Sequence, residues 1–335
     1  MQSKTCLSFL FMLVVLLTSC RKLVEDPRMC EYEVEEQKMR GANCSETRAM
    51  RPWTFPNMAW EWHTDWVALI PQAYVTQGDP TLMDTAWADD LSVIIPHIQN
   101  FGYKIMLKPH VDVNRSTIHR GEYELENDSA WTEFETAYRQ WTLDLAKIAR
   151  DYQVEMFCVG TELRIFTMER PKFWQNLIEE VRGIYTGPLT YAANWDEYGM
   201  MPFWDQLDYI GIDGYFPLVE ARTPEVEDLV AAWEPDHDHL YNMHLSHCKP
   251  ILFTEIGYRS VDYAAWEHWN ITNNVLNWQV QANGFEAFYR TFWHEDWVAG
   301  AFVWDWRTYP IDPSNTEWTP QDKPAAEVIK DWHGR

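Results

Sequence analysis

The strongest constraint on this chain is a repeated alternation. Short runs rich in apolar, β-branched and aromatic residues are each followed by a longer stretch, several of them with helical spacing. The runs are Met39–Asn43, Trp66–Tyr74, Tyr103–Val111, Val154–Glu162, Leu189–Trp195, Leu207–Tyr215, Lys249–Tyr258 and Val298–Trp306. Several lack polar alternation, as strands buried on both faces do. Between them, Trp131, Phe134, Tyr138, Trp141, Leu145 and Ile148 alternate steps of three and four, which makes one apolar helix face. Asp79-Pro80 reads as an N-cap and first helical residue, with Leu91, Ile94, Ile95 and Ile98 following before Gly102. Pro171 opens another helix, carrying Phe173, Leu177, Val181 and Ile184 up to Gly187-Pro188. Eight such units favour a single (β/α)8 TIM barrel of class α/β over an open doubly wound sheet. No G-x-G-x-x-G or P-loop follows a strand, which counts against nucleotide binding.

The barrel is expected over residues 39–335. Lys4 and the apolar run Leu7–Leu17 form a signal peptide over residues 1–19, too short to span a bilayer. Leu17-Thr18-Ser19-Cys20 resembles a bacterial lipobox, which makes Cys20 the lipidation site; ordinary cleavage nearby is the alternative. Residues 20–38 are polar and acidic and read as a tether. The protein is therefore expected in the bacterial cell envelope, periplasmic or on the surface, held to the membrane by a lipid only. Of the remaining cysteines, no two have C-x-x-C spacing, so no metal site is expected. Cys158 reads as a packed thiol, and Cys30 can pair with Cys44. Four N-x-S/T matches, at Asn43, Asn114, Asn127 and Asn270, are expected by chance.

A net charge of −24 argues against nucleic acid and anionic membrane as partners. With 20 Trp, 16 Tyr and 15 Phe, the chain has aromatic faces for a core and for stacking on sugar rings. A neutral polysaccharide or oligosaccharide and a monomeric protein are expected.

A TIM barrel builds its active site at the C-terminal ends of its strands. Those ends hold Lys108-Pro109-His110-Val111-Asp112, Thr161-Glu162, Asn194-Trp195-Asp196-Glu197, Asp213-Gly214-Tyr215, Thr254-Glu255 and Trp304-Asp305. Glu162 and Glu255 close the fourth and seventh apolar runs, on opposite sides of the barrel mouth. A buried carboxylate is costly unless paired or used, and two facing each other suit glycosidic bond hydrolysis.

Val67-Ala68-Leu69-Ile70-Pro71-Gln72-Ala73-Tyr74, Met106-Leu107-Lys108-Pro109-His110-Val111-Asp112, Val159-Gly160-Thr161-Glu162-Leu163, Tyr191-Ala192-Ala193-Asn194-Trp195-Asp196-Glu197-Tyr198, Gly211-Ile212-Asp213-Gly214-Tyr215-Phe216-Pro217-Leu218 and Phe253-Thr254-Glu255-Ile256-Gly257-Tyr258-Arg259-Ser260 resemble glycoside hydrolase family 113. The similarity runs from about Trp66 to Trp306. The resemblance implies a retaining β-1,4-mannanase with Glu162 as acid/base and Glu255 as nucleophile, needing no cofactor. Lys108 or Arg259 is then expected to hold Glu255 charged, and Glu255 to raise the pKa of Glu162.

Lys108, His110, Asp112, Asn194, Trp195, Tyr215 and Trp304 are the expected substrate-binding residues. Trp304 is the stacking platform, Tyr215 a hydrogen-bond partner of the nucleophile, and His110 either a sugar contact or a structural histidine. Asp196, Glu197 and Asp305 read as acidic rim residues outside the chemistry, and Arg120 and Arg259 as loop candidates. Much of the clan has Asn before the acid/base, and this chain has Thr161; Asn194 is the candidate replacement. Exo-acting mannosidase or other β-glycanase activity, and an inactive glycan-capturing lipoprotein, are the competing readings.

Overall fold

A computed structural model describes residues 37–45, 47, 55–114 and 118–335. The signal-peptide, lipidation and most of the tether expectations, with Cys20 and Cys30, lie outside these residues. Eleven strands follow in order: β1 (Met39–Cys44), β2 (Trp66–Leu69), β3 (Gln72–Thr76), β4 (Asp79–Met83), β5 (Lys104–Leu107), β6 (His110–Val113), β7 (Met156–Thr161), β8 (Leu189–Asn194), β9 (Ile210–Asp213), β10 (Ile251–Ile256) and β11 (Val298–Val303). The helices are α1 (Phe55–Trp62), α2 (Ala88–Asn100), α3 (Asp128–Asp151), α4 (Arg164–Glu169), α5 (Pro171–Arg182), α6 (Val226–His247), α7 (Trp278–Phe292) and α8 (Pro324–His333).

Eight strands close a parallel barrel in the order β1-β11-β10-β9-β8-β7-β5-β2. This is the expected (β/α)8 barrel. Alternation along each strand sorts the side chains into two layers. Trp66, Ala68, Met106, Met156, Leu252 and Phe302 fill the barrel interior. Val67, Leu69, Ile105, Leu107, Phe157 and Phe253 face outward into the larger layer under the helices. The apolar face of α3 behaves as its spacing predicts: Trp131, Phe134, Tyr138, Trp141 and Leu145 are buried, and Asn127 caps the helix by accepting from Ala130 N.

The second and third apolar runs are each two strands. Proline supplies no N–H to the ladder, so the barrel strands stop before Pro71 and Pro109. The chain then continues as β3 and β6, which pair with each other and with β4 in a separate three-stranded sheet over the barrel mouth. This break carries His110 and Asp112 above the barrel rim. Asp79-Pro80 begins β4 instead of a helix. Gly78, at φ 76°, makes a tight turn after β3, and Thr76 pairs with Asp79 across it. Helix α2 starts only at Ala88. Cys44 and Cys158 are buried free thiols, so the expected Cys30–Cys44 pairing is not made. Asn43, 0% exposed, donates to the Thr254 and Phe302 carbonyls inside the barrel and is closed to glycosylation.

Candidate active site

Strand alternation aims Lys108 inward, because it shares the parity of Met106. It is completely buried, and its ammonium contacts Glu255 Oε1 and lies 3.5 Å from Asp213 Oδ1. Glu255 lies one residue out of phase with the inward-facing Leu252. Register shifts on both sides of β10, after Phe253, turn it toward the barrel axis. Tyr215 donates to Glu255 Oε2 at 2.6 Å. His110 Nε2 stands 3.6 Å from Glu255 Oε1, and its ring stacks on Trp304 at 5.9 Å with 2° between planes.

Glu162 follows the last residue of β7 in a left-handed conformation, φ 54°, which few non-glycine residues adopt. Two basic side chains converge on its Oε2: His119 Nε2 at 3.1 Å and Arg120 Nη1 at 3.3 Å. Arg120 also donates to His110 Nδ1 at 2.9 Å and Asp112 Oδ1 at 2.5 Å. A chain of contacts thus joins the carboxylates, Glu162–Arg120–His110–Glu255. Because guanidinium can only donate, His110 Nδ1 is an acceptor and its proton is on Nε2. Burial, then Arg120 and Lys108, push His110 far down, so it stays neutral.

Both carboxyls open into one cleft of about 670 Å³ at the barrel mouth. His110, Asn194, Trp195, Tyr215 and Trp304 line it. Lys108 and Asp112 do not: the first lies beneath Glu255, and the second is spent on Arg120. His119, Trp269, His268 and Trp318 line it without having been expected. Trp269 is stacked on Trp195 at 5.8 Å, extending one aromatic wall. Arg259 does not serve Glu255: its guanidinium donates to the Asn270 and Asn273 carbonyls in the loop after β10 and to the Thr316 carbonyl in the segment after β11. Glu197 and Asp305 are buried, not rim residues. Glu197 accepts from Asn194 N, and burial, then the Glu162 charge, push it up to about 8. Thr161 Oγ1 donates to the Pro109 carbonyl, so its side chain ties β7 to the neighbouring strand. Asn194 Nδ2 donates to Asp196.

The ligand-free charge balance differs from the expectation that Glu255 raises Glu162. For Glu162, burial is outweighed by His119, Arg120 and Lys108, and its pKa is lowered. For Glu255, burial and the Glu162 charge outweigh Lys108 and Tyr215, and its pKa is raised. Tyr215 is pushed well up by burial and by Glu255, which keeps its hydroxyl a donor. Among the described residues no group of three His, Cys, Asp or Glu side chains is arranged to hold a metal ion.

The family model described as Glycoside Hydrolase Family 113 matches residues 56–319. A solved GH113 β-1,4-mannanase complex is 25% identical, with 89% of this chain and 99% of that one covered and a TM-score of 0.78. The GH113 β-mannanase AaManA from Alicyclobacillus acidocaldarius, in complex with ManMIm, is 23% identical over 90% of this chain and 99% of that one, with a TM-score of 0.80. A Faecalibacterium prausnitzii β-glucuronidase shares the fold at 12% identity and a TM-score of 0.59, over 89% of this chain and 49% of that one. A comparison with curated protein sequences finds no match.

Proposed function

The chain belongs to glycoside hydrolase family 113, and on that premise we propose that it cleaves internal β-1,4 bonds of mannan-type polysaccharides with retention, Glu162 serving as acid/base and Glu255 as nucleophile. The observation that carries this reading is the pair of buried carboxyls sharing one aromatic-walled cleft, each with its own donors. Lys108 and Tyr215 oppose the cost of an ionised Glu255, as a nucleophile requires. Trp304 offers an apolar face to a sugar ring. His110 Nε2–H is buried and without a hydrogen-bond partner, which suits a donor to a sugar hydroxyl.

In the first step an ionised Glu255 oxygen bonds to the anomeric carbon while the glycosidic C–O bond breaks. Glu162 gives its proton to the departing oxygen. In the second step Glu162 takes a proton from water, whose oxygen displaces Glu255 from the sugar. The two carboxyls titrate as a pair; the ligand-free balance favours a shared proton on Glu255, and the reacting form is the one that holds it on Glu162. Forming the covalent intermediate removes the charge on Glu255, so Glu162 becomes a weaker base only after it has donated.

The test is hydrolysis by the purified protein of mannan, manno-oligosaccharides, cellulose and xylan, with Glu162→Gln and Glu255→Gln beside it. A ladder of products from mannan, lost in both variants, is expected. Full activity in either variant would sink the assignment. Release of mannose only would favour the exo-acting reading, and binding without hydrolysis the capture protein. Lipidation of Cys20 is a separate proposal, read from the mass of the mature N-terminus.

A further inference from the structure

His119 opens the short turn His119–Tyr123, and its ring is fixed from both sides. Gly121 N donates to Nδ1 at 3.2 Å, while Nε2 faces Glu162 Oε2 at 3.1 Å. The turn is packed directly against both partners: a Cβ on Gly121 would lie 3.1 Å from His119 Nδ1 and 3.2 Å from the Glu162 carbonyl oxygen. A backbone N–H can only donate, so Nδ1 must accept and the ring proton belongs on Nε2. The second donor on Oε2 is Arg120 Nη1. With two donors on Oε2, Oε1 is the oxygen open to exchange a proton with substrate.

The competing arrangement moves the Glu162 proton to His119, leaving carboxylate and imidazolium. The charged groups around the ring are Glu162 and Asp196, which favour that cation, and Arg120, which opposes it, as does burial; their sum raises the ring's pKa. Glu122, on the same turn, is committed to Arg164. The extra proton would have to sit on Nδ1, against the Gly121 N–H. We propose that this turn keeps the reaction's proton on Glu162: Gly121 N–H occupies His119 Nδ1, so the ring stays neutral, donates from Nε2 to Oε2, and leaves Oε1 to protonate the departing glycosidic oxygen. His119 is then a positioning residue acting through Glu162, and the inference rests on Glu162 being the acid/base.

The test compares His119→Gln, which keeps a donor without a charge, with His119→Leu, which keeps neither. Each is measured on mannan and on 2,4-dinitrophenyl β-mannobioside, whose leaving group needs no protonation. Expected are near-parent kcat/KM on both substrates for His119→Gln. For His119→Leu we expect a loss of about tenfold or more on mannan with the aryl substrate spared. A His119→Gln loss as large as that of His119→Leu would overturn the neutral-donor role, and equal losses on both substrates would reduce His119 to a structural part. Nitrogen NMR of the histidine-labelled full chain, with His119→Gln assigning the signal, should show the neutral Nε2–H ring throughout the active pH range. A doubly protonated ring there would contradict the proposal. Glu162→Gln is the control for the premise: if it is not spared on the aryl substrate, the acid assignment fails, not the role of His119.

Discussion

Lys108 links the buried charges beneath the cleft, with Glu255 on one side and Asp213 on the other. Burial works against its charge, but Asp213 and Glu255 outweigh it and raise its pKa, so it stays an ammonium. Burial and Glu255 push Asp213 far up, so the group favours one cation with one anion. Removing the cation from such a pair leaves the other charge uncompensated. Lys108→Met should therefore raise the Glu255 pKa. As the proposed nucleophile, Glu255 must be ionised to attack, so the acid limb of kcat/KM should move to higher pH, which a pH–rate profile of the variant checks. An unmoved limb would separate Lys108 from the nucleophile. Lys108 and Tyr215 were legible in the sequence because each sits just beyond a barrel strand, where parity and position state direction; Glu255 was legible only by its place at the end of an apolar run, since its parity points the other way. His119 was not: it lies on a loop turn beyond the strand, with no period to aim it, and only the folded chain brings it to Glu162.

At the scale of elements, the barrel strands were legible because a parallel strand buried on both faces needs a continuous apolar run. The strand ends were less so. Pro71 and Pro109 interrupt runs that look continuous by hydropathy, and the segments beyond them leave the barrel for the three-stranded sheet. Asp79-Pro80 has the composition of a helix start, yet the turn at Gly78 and pairing with β3 override that local preference. The register shifts in β10 have no sequence signature, although they turn Glu255 into the cleft. Thr161 reads as a departure from the clan's pattern by position alone. Its bond to the Pro109 carbonyl shows it serving the seam between strands.

Across the whole molecule, the C-terminal helix fastens to the beginning of the barrel through one buried imidazole. His333 Nδ1 meets the Trp62 carbonyl at 2.9 Å, and Nε2 meets the Tyr289 hydroxyl at 2.8 Å, so α1, α7 and α8 share it. Burial pushes His333 down to about 3 and His268 down to about 4, from an ordinary 6.5. Both are neutral in the folded chain, whereas the unfolded chain takes up protons once the pH drops below about 6.5. Stability should be fully present above that value and decline as pH falls toward the folded pKa values. Thermal unfolding at a series of pH values should show this slope, and His333→Gln should flatten it; an unchanged slope would remove His333 from the acid response.

The central claim is that Glu255 forms the bond to the sugar. Treating the protein with 2-deoxy-2-fluoro-β-mannobiosyl fluoride should trap that bond, and peptide mass spectrometry should find the label on the peptide containing Glu255. A label on Glu162, or substrate turnover with inversion and no label, would contradict the account.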